Sequence, residues 1–426
     1  MKPSIAAQEL PSIWSLRGGL ADRLARWLLL KRLACLETGC LTLREGEKRF
    51  TFGGLAGAKD LCVTITVSDE RFYRNIVFGG SVGAAESYMA GHWDCDDLTG
   101  LTRIVVLNEH LLLDIERGLA LLAAPLRRMY HFKNKNTRAG SRCNIEAHYD
   151  LGNDFYALFL DETMTYSCAF FERPETTLAE ASIAKYDRIC RKLNLRETDH
   201  LLEVGMGWGG FAIHAASHYG CRVTSTTISP SQYDWAKERI RKQGVEKRIS
   251  LLLEDYRDLS GTFDKLVSIE MIEAVGHHYL DAFFRQCAHL LRPDGIMALQ
   301  AITITDQKYE AHKRDVDFIK RYIFPGSTLT SVTALCLSAT RATDLKLFHL
   351  EDITVHYART LREWRKQFFR NIGKVRALGY SERFIRMWEY YLCYCEGAFA
   401  ERYIGDVQAL FAKPSYRPSP VNPPLT

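Results

Sequence analysis

No stretch of this chain is long and apolar enough to cross a bilayer. The longest uninterrupted apolar runs, such as Leu119 to Leu126, stop far short of the roughly 18–20 residues that a spanning helix needs. The N-terminal region also lacks a continuous apolar core followed by a small-residue cleavage site, and acidic Glu9 precedes the hydrophobic Trp27-Leu28-Leu29-Leu30. A secretory signal is therefore not expected, and the chain reads as cytoplasmic. Metal-ligand spacing is missing too. The 12 cysteines are scattered, and the tightest pair, Cys393 and Cys395, has no second pair nearby. That excludes a zinc knuckle, so no metal is expected and most thiols read as small buried hydrophobes. An excess of one charge is likewise absent: a net +5 and a pI near 8.5 do not argue for nucleic acid, and the aromatic-and-basic platform of a single-strand binder is not seen.

What is present is ample material for folded cores. The 426 residues are 47% hydrophobic and 25% charged, which predicts two or three domains. Leu20, Leu24, Trp27, Leu28 and Leu30 alternate with Arg17, Arg23, Arg26, Lys31 and Arg32, the pattern of an amphipathic helix with a basic face. Strand-like Leu41-Thr42-Leu43 and Cys62 to Val67 follow, then helical stretches through Val82–Met89 and Leu98–Leu113. This reads as a small α+β domain, residues 1–125. Between Glu116 and Glu146 there is no acidic residue, whereas Arg117, Arg127, Arg128, Lys133, Lys135, Arg138 and Arg142 are basic. Residues 126–143 are taken as a basic linker. It is either a solvated run or a contact for anionic phospholipid heads, worth on the order of 1 kcal/mol per basic residue.

From Leu201 the pattern changes to short apolar runs separated by helical ones. Leu201–Val204, Arg222–Thr226, Ile249–Leu253, Lys265–Ile269 and Gly295–Gln300 have the length and β-rich character of buried parallel strands. Helical patterns around 211–219, 231–243 and 278–291 alternate with them, which implies an α/β doubly wound sheet. The first strand runs into Glu203-Val204-Gly205-Met206-Gly207-Trp208-Gly209-Gly210. Its glycines allow a tight turn and close backbone approach to a ligand. A dinucleotide fold would place an acid about 20 residues further on, where this chain has Thr226-Thr227-Ile228-Ser229. S-adenosylmethionine (SAM) is the favoured cofactor.

These residues, with others in order, resemble the cyclopropane-fatty-acyl-phospholipid synthase family and its mycolic acid cyclopropane synthase relatives. The matching stretches are His148–Phe155, Thr165–Phe171, the glycine loop, Ser229–Gln232, Glu254–Asp258, Glu270–Gly276, Tyr322–Gly326 and Tyr390–Phe399. The resemblance spans about 144–412, with a weaker match from Gly79-Gly80 to Leu98. It implies a Rossmann-like class I SAM-dependent methyltransferase domain over 144–412, after the N-terminal α+β domain, with 413–426 a Pro-rich tail.

The resemblance further implies that Tyr166, Ser167, Glu203, Gly205, Gly207, Gly209, Thr227, Gln232, Tyr256 and Arg257 hold SAM. It implies a reaction in which the cis double bond of a membrane phospholipid's acyl chain attacks the sulfonium methyl and a proton is then lost, closing a cyclopropane ring. An alkene is a weak nucleophile, so the site must align it, exclude water and supply a base. Aromatic residues for that pocket are Trp364, Phe368, Phe369, Trp388, Tyr390, Tyr391, Tyr394, Phe399 and Tyr403. In the family the base is a bound bicarbonate, implied here on Cys168, Glu273, Gln300, Ile302 and Tyr357. Gln300 and Ala274 stand where some relatives carry histidine. A carboxyl beside an anion favours its protonated form, so Glu273 is expected to have a raised pKa. Cys395 matches the family's active-site cysteine, although the chemistry needs no nucleophile, and Cys395, Glu273 and Tyr357 are the implied catalytic residues. The expected partners are unsaturated acyl chains and an anionic membrane surface, with the protein peripheral to the inner membrane and homodimeric. Competing readings are a lipid methyltransferase that stops at a methyl branch, a lipid-binding scaffold with a degenerate cofactor fold, and methylation of a small molecule or nucleic acid.

Overall fold

Runs such as Leu201-Leu202 and Val267-Ser268 are buried on both faces, which only a sheet covered by helices on either side can satisfy. The computed structural model describes residues 19–54, 61–110 and 151–417. Within them the chain separates into two compact units, each assembled from several chain segments.

The first unit takes Met1–Phe132, Asp315–Ile323 and Arg376–Tyr403. Helix α1 (Leu20–Leu33) precedes β1 (Gly39–Glu45), β2 (Lys48–Gly54) and β3 (Cys62–Val67), followed by α2 (Arg71–Met89), β4 (Trp93–Cys95) and α3 (Leu98–Leu107). The four strands form one sheet in the order β2-β1-β3-β4. Helix α2 starts earlier than its hydrophobic pattern suggested and is kinked at Gly80, whose φ of 60° departs from the helix. The unit also contains the helix Glu382–Ala400, so the expected catalytic stretch 144–412 is divided between the two compact units. The reason is packing: Cys393 of that helix lies in the same core as Leu43, Phe72 and Trp93, Tyr88 donates to Glu389 at 2.8 Å, and Thr99 donates to Glu396 at 3.2 Å. The acid-free stretch and the linker 126–143 lie outside the described residues, as does the tail beyond 417.

The second unit takes Lys133–Arg314, Phe324–Val375 and Ile404–Thr426. Its strands are β5 (His200–Val204), β6 (Arg222–Thr227), β7 (Ile249–Leu253), β8 (Phe263–Ile269), β9 (Leu291–Ile304), β10 (Lys346–Asp352) and β11 (Ile404–Ala412). Their order is β10-β11-β9-β8-β5-β6-β7, with β5 to β9 parallel and β11 antiparallel to both neighbours. Helices α4 (Leu178–Lys192), α5 (Gly210–Tyr219), α6 (Pro230–Lys242), α7 (Leu280–Leu290) and α8 (Thr354–Arg370) belong to this unit. The strand order reverses next to β5, and ligands of such sheets bind there, beyond the carboxyl ends of the strands.

Candidate active site

Three glycines shape the loop that leaves β5. Gly205, Gly207 and Gly209 have φ of 92°, 53° and 81°, a region that side chains avoid. A Cβ on Gly205 would lie 2.8 Å from Cγ of Met271, whereas nothing lies within 4 Å of the position a Cβ would take on Gly207. The loop is thus packed on one side and open on the other, as a cradle for a ligand requires. Glu203, one residue before the strand's end, is buried, accepts from the Ser225 hydroxyl and has its carboxyl pushed up to about 8, mainly by burial. At the end of β6, Thr227 donates to the side-chain oxygen of Gln232 at 2.9 Å, and Ser229 caps α6. Beyond β7, Tyr256 is half-buried, its ring edge-on to Phe283 with centroids 5.5 Å apart. Arg257 is engaged by Asp255 at 2.6 Å. The residues present fit a SAM-sized ligand.

A second cluster lies beside this loop, because Met271, which abuts Gly205, follows Glu270. Glu270 leaves β8 with φ of 47°, an unusual conformation for a residue with a side chain. Its carboxylate gathers donors from three other parts of the unit. The Cys168 N–H donates to Oε1 at 2.8 Å, Gln300 Nε2 of β9 to the same oxygen at 2.7 Å, and the Tyr357 hydroxyl of α8 to Oε2 at 2.5 Å. One turn later Glu273 accepts the Ile302 N–H at 2.6 Å through Oε1, while its buried Oε2 has no hydrogen-bond partner among the described residues. Its carboxyl is pushed up to about 8, first by burial and then by the charge of Glu270. Asp406 of β11 is buried, accepts from Gln300 at 3.1 Å and has its pKa raised by burial and by both glutamates. Lys185 is the cation of this group. Fully buried on α4, it donates to Ser167 at 2.7 Å, and burial holds its pKa below the ordinary lysine range.

Aromatic rings line the same region. The Tyr166 ring lies 5.1 Å from Trp364 and 6.3 Å from Phe324, and Trp364 stands edge-on to Tyr357 at 6.2 Å. Apolar walls, a glycine cradle and a cluster of carboxyls suit group transfer to an apolar substrate followed by proton removal. The sequence profile described as mycolic acid cyclopropane synthetase matches residues 136–409. The chain belongs to that family.

Among the family's members and relatives, the chain is 38% identical over 338 residues to the tuberculostearic acid methyltransferase UfaA1 of Mycobacterium tuberculosis, covering 78% of each chain. It is 36% identical over 361 residues to the cyclopropane-fatty-acyl-phospholipid synthase of Escherichia coli K12, covering 82% of this chain and 87% of that one. The solved cyclopropane synthase MmaA2 of Mycobacterium tuberculosis superposes with a TM-score of 0.60 at 32% identity, covering 64% of this chain and 98% of that one. Mycolic acid cyclopropane synthase CmaA1, solved with S-adenosylhomocysteine, gives 0.59 at 35% identity, covering 64% and 98%. This family member is accordingly an enzyme, a SAM-dependent methyltransferase with the class I fold, and SAM is its co-substrate.

Within the family frame one expectation changes. The five residues implied as bicarbonate ligands do converge, but on carboxyl groups of the chain itself. Cys168, Gln300 and Tyr357 donate to Glu270, and Ile302 donates to Glu273. A further anion would meet the charge of the Glu270 carboxylate and compete with it for the donors of Cys168, Gln300 and Tyr357, which is unfavourable. A bound bicarbonate therefore does not fit. Glu270 opens the motif Glu270–Gly276, and the family resemblance assigns it no role. Its signal was two carboxyls three residues apart at the carboxyl end of a strand.

Cys395 belongs to the first unit, on the helix Glu382–Ala400 with Trp388, Tyr390, Tyr391, Tyr394 and Phe399; Tyr403 follows that helix in the same unit. Burial pushes its thiol up, which leaves it neutral at physiological pH and a poor nucleophile. Of the aromatic residues expected around the reaction, Trp364 and Phe368 are buried in the second unit and Phe369 is exposed at its surface.

Proposed function

We propose that the enzyme adds a methyl group to the cis double bond of an unsaturated acyl chain in a membrane phospholipid, and that Glu270 then takes a proton so that a cyclopropane ring closes. SAM supplies, when bound, an electrophilic sulfonium methyl and departs as the neutral thioether. The chain's own residues do the rest. Tyr166, Trp364 and Tyr357 exclude water from the developing cation and offer it their ring faces. Glu270 accepts a proton from the added carbon, and the C–H electron pair closes the third side of the ring. The observation that carries this reading is the grip on Glu270: three donors from separate segments fix its carboxylate beside the glycine loop, as a base needs. The cyclopropane-forming relatives support the same chemistry.

The similarity to a tuberculostearic acid methyltransferase favours a second reading, in which a 1,2-hydride shift moves the positive charge to the carbon carrying the added methyl and proton loss from that methyl leaves a methylene branch, C=CH2. Ring and methylene are isomers of identical mass, so mass spectrometry alone does not separate them. Phospholipids from cells expressing the chain, examined by mass spectrometry and proton NMR, are expected to gain one carbon and show high-field ring protons. Vinylic protons would favour the second reading, and no gain of carbon would sink both.

The acid-free stretch 117–145 is proposed to dock on anionic headgroups at the cytoplasmic membrane face. Unchanged liposome binding after neutralising its basic residues would refute that.

A further inference from the structure

Gln300 is an amide, and its usefulness to Glu270 depends on which of its two ends faces the carboxylate. Turned one way it donates; turned the other, its oxygen confronts both Glu270 and Asp406. The orientation is set from outside the site. Lys192 sits one helical repeat after Lys185 on the buried face of α4, and its ammonium donates to Oε1 of Gln408 at 2.6 Å. An ammonium has no lone pair, so Gln408 must present its oxygen there and its amide group to the far side. Gln408 is paired directly with Gln300 across β11 and β9, and its Nε2 donates to Gln300 Oε1 at 3.0 Å. With its oxygen committed, Gln300 turns Nε2 toward Glu270 and Asp406 at 2.7 and 3.1 Å. Glu351 accepts from Lys192 at 2.5 Å and also pairs with Arg188, which anchors the outer end. All three relay side chains are buried, at 6%, 2% and 1% exposure for Lys192, Gln408 and Gln300, so water cannot substitute for a missing link.

Resting on the reading of Glu270 as the base, we propose that Lys192 and Gln408 are positioning residues that fix the polarity of the Gln300 amide and thereby hold Glu270 in its proton-accepting geometry. The other groups facing Glu270 are Lys185 of α4, Tyr357 of α8, Asp406 of β11, Glu273 and the Cys168 N–H. Of these Asp406 touches the relay, through Gln300.

Gln408→Glu is the discriminating variant. It is isosteric and keeps the Lys192 contact, but a carboxylate only accepts, so Gln300 must donate outward and turn its oxygen on Glu270. At pH 7, where Lys192 with a pKa of about 8 stays charged, kcat is expected to fall roughly 100-fold, the scale of a small misplacement of a reacting group. SAM affinity by calorimetry and the melting temperature should stay native. The double variant Lys192→Gln with Gln408→Lys restores a donor toward Gln300 and an acceptor behind it, and is expected to recover to within ten-fold of native. Native kcat in Gln408→Glu overturns the proposal. So does a double variant with native melting and SAM affinity that is as slow as Gln408→Glu, which also decides the matter if the single variant fails to fold. Glu270→Gln separates the two layers: if it keeps native turnover, the base assignment itself falls, whereas an inactive Glu270→Gln beside a native Gln408→Glu removes the relay alone.

Discussion

Glu273 makes the pH dependence of stability a direct test of the carboxyl cluster. Its folded-state pKa is about 8 against an ordinary 4.5, because one oxygen is buried without a partner and Glu270 lies nearby. Below pH 4.5 the group is protonated whether the chain is folded or not, and its preference for the neutral form costs nothing. Between 4.5 and 8 the unfolded chain ionises while the folded one holds its proton, so stability is lost as pH rises. Above 8 both states are ionised and the loss is complete. At 1.36 kcal/mol per pH unit, the gap amounts to up to about 5 kcal/mol. Glu273→Gln keeps an oxygen for the Ile302 N–H and cannot ionise. Urea unfolding of both proteins, followed from pH 4.5 to 8.5, should show the native enzyme losing up to about 5 kcal/mol relative to the variant as pH rises. Glu203, also raised to about 8, titrates in both proteins and cancels in the difference. Stability curves that run parallel to within 1 kcal/mol across that range would refute the burial argument.

Three further outcomes are expected. Glu270→Gln should slow product formation by about 10²–10⁴-fold, the usual contribution of a general base, with SAM affinity by calorimetry unchanged. Glu270→Gly suits the positive φ and frees the donors of Cys168, Gln300 and Tyr357, so its activity should become dependent on added bicarbonate while the native enzyme stays indifferent to bicarbonate depletion; equal dependence in both would restore the bound-anion reading. Gly205→Ala, whose Cβ would collide with Met271 at 2.8 Å and whose φ is 92°, should lose about 1–3 kcal/mol of stability and bind SAM more weakly. An unchanged melting temperature and affinity would show that the loop can adjust.

The parallel strands were legible because each is an apolar run of about five residues and helical periods separate most of them, and the structure places them within a few residues of the expected bounds, β9 extending well beyond Gly295–Gln300. Strand β11 was not read, since Ile404–Ala412 follows an aromatic helix and carries Asp406 and Gln408 inside an otherwise apolar run. Those two polar residues were the clue: a sheet interior tolerates them when they are partnered, and here they are partnered by the site. Glu270 eluded the sequence for a related reason. Its donors come from positions 168, 300 and 357, and no local spacing reports that convergence. Lys185 and Lys192 carry no local signal of their role: both are buried on α4, each repaid by an acceptor that only the fold supplies. The division of 144–412 between two units was not legible, because the motifs run continuously through 382–400 while the packing of that helix does not.

The first unit draws on residues from near the N-terminus and on Arg376–Tyr403, close to the other end of the chain. During synthesis, then, Tyr88 and Thr99 wait for Glu389 and Glu396, some three hundred residues later, before their core is covered. At ribosomal rates of about 5–20 residues per second that interval is of the order of tens of seconds. Throughout it the residues that share a core with Cys393, such as Leu43, Phe72 and Trp93, lack the packing that this helix supplies. Premature termination before residue 403 leaves both units short of segments they require.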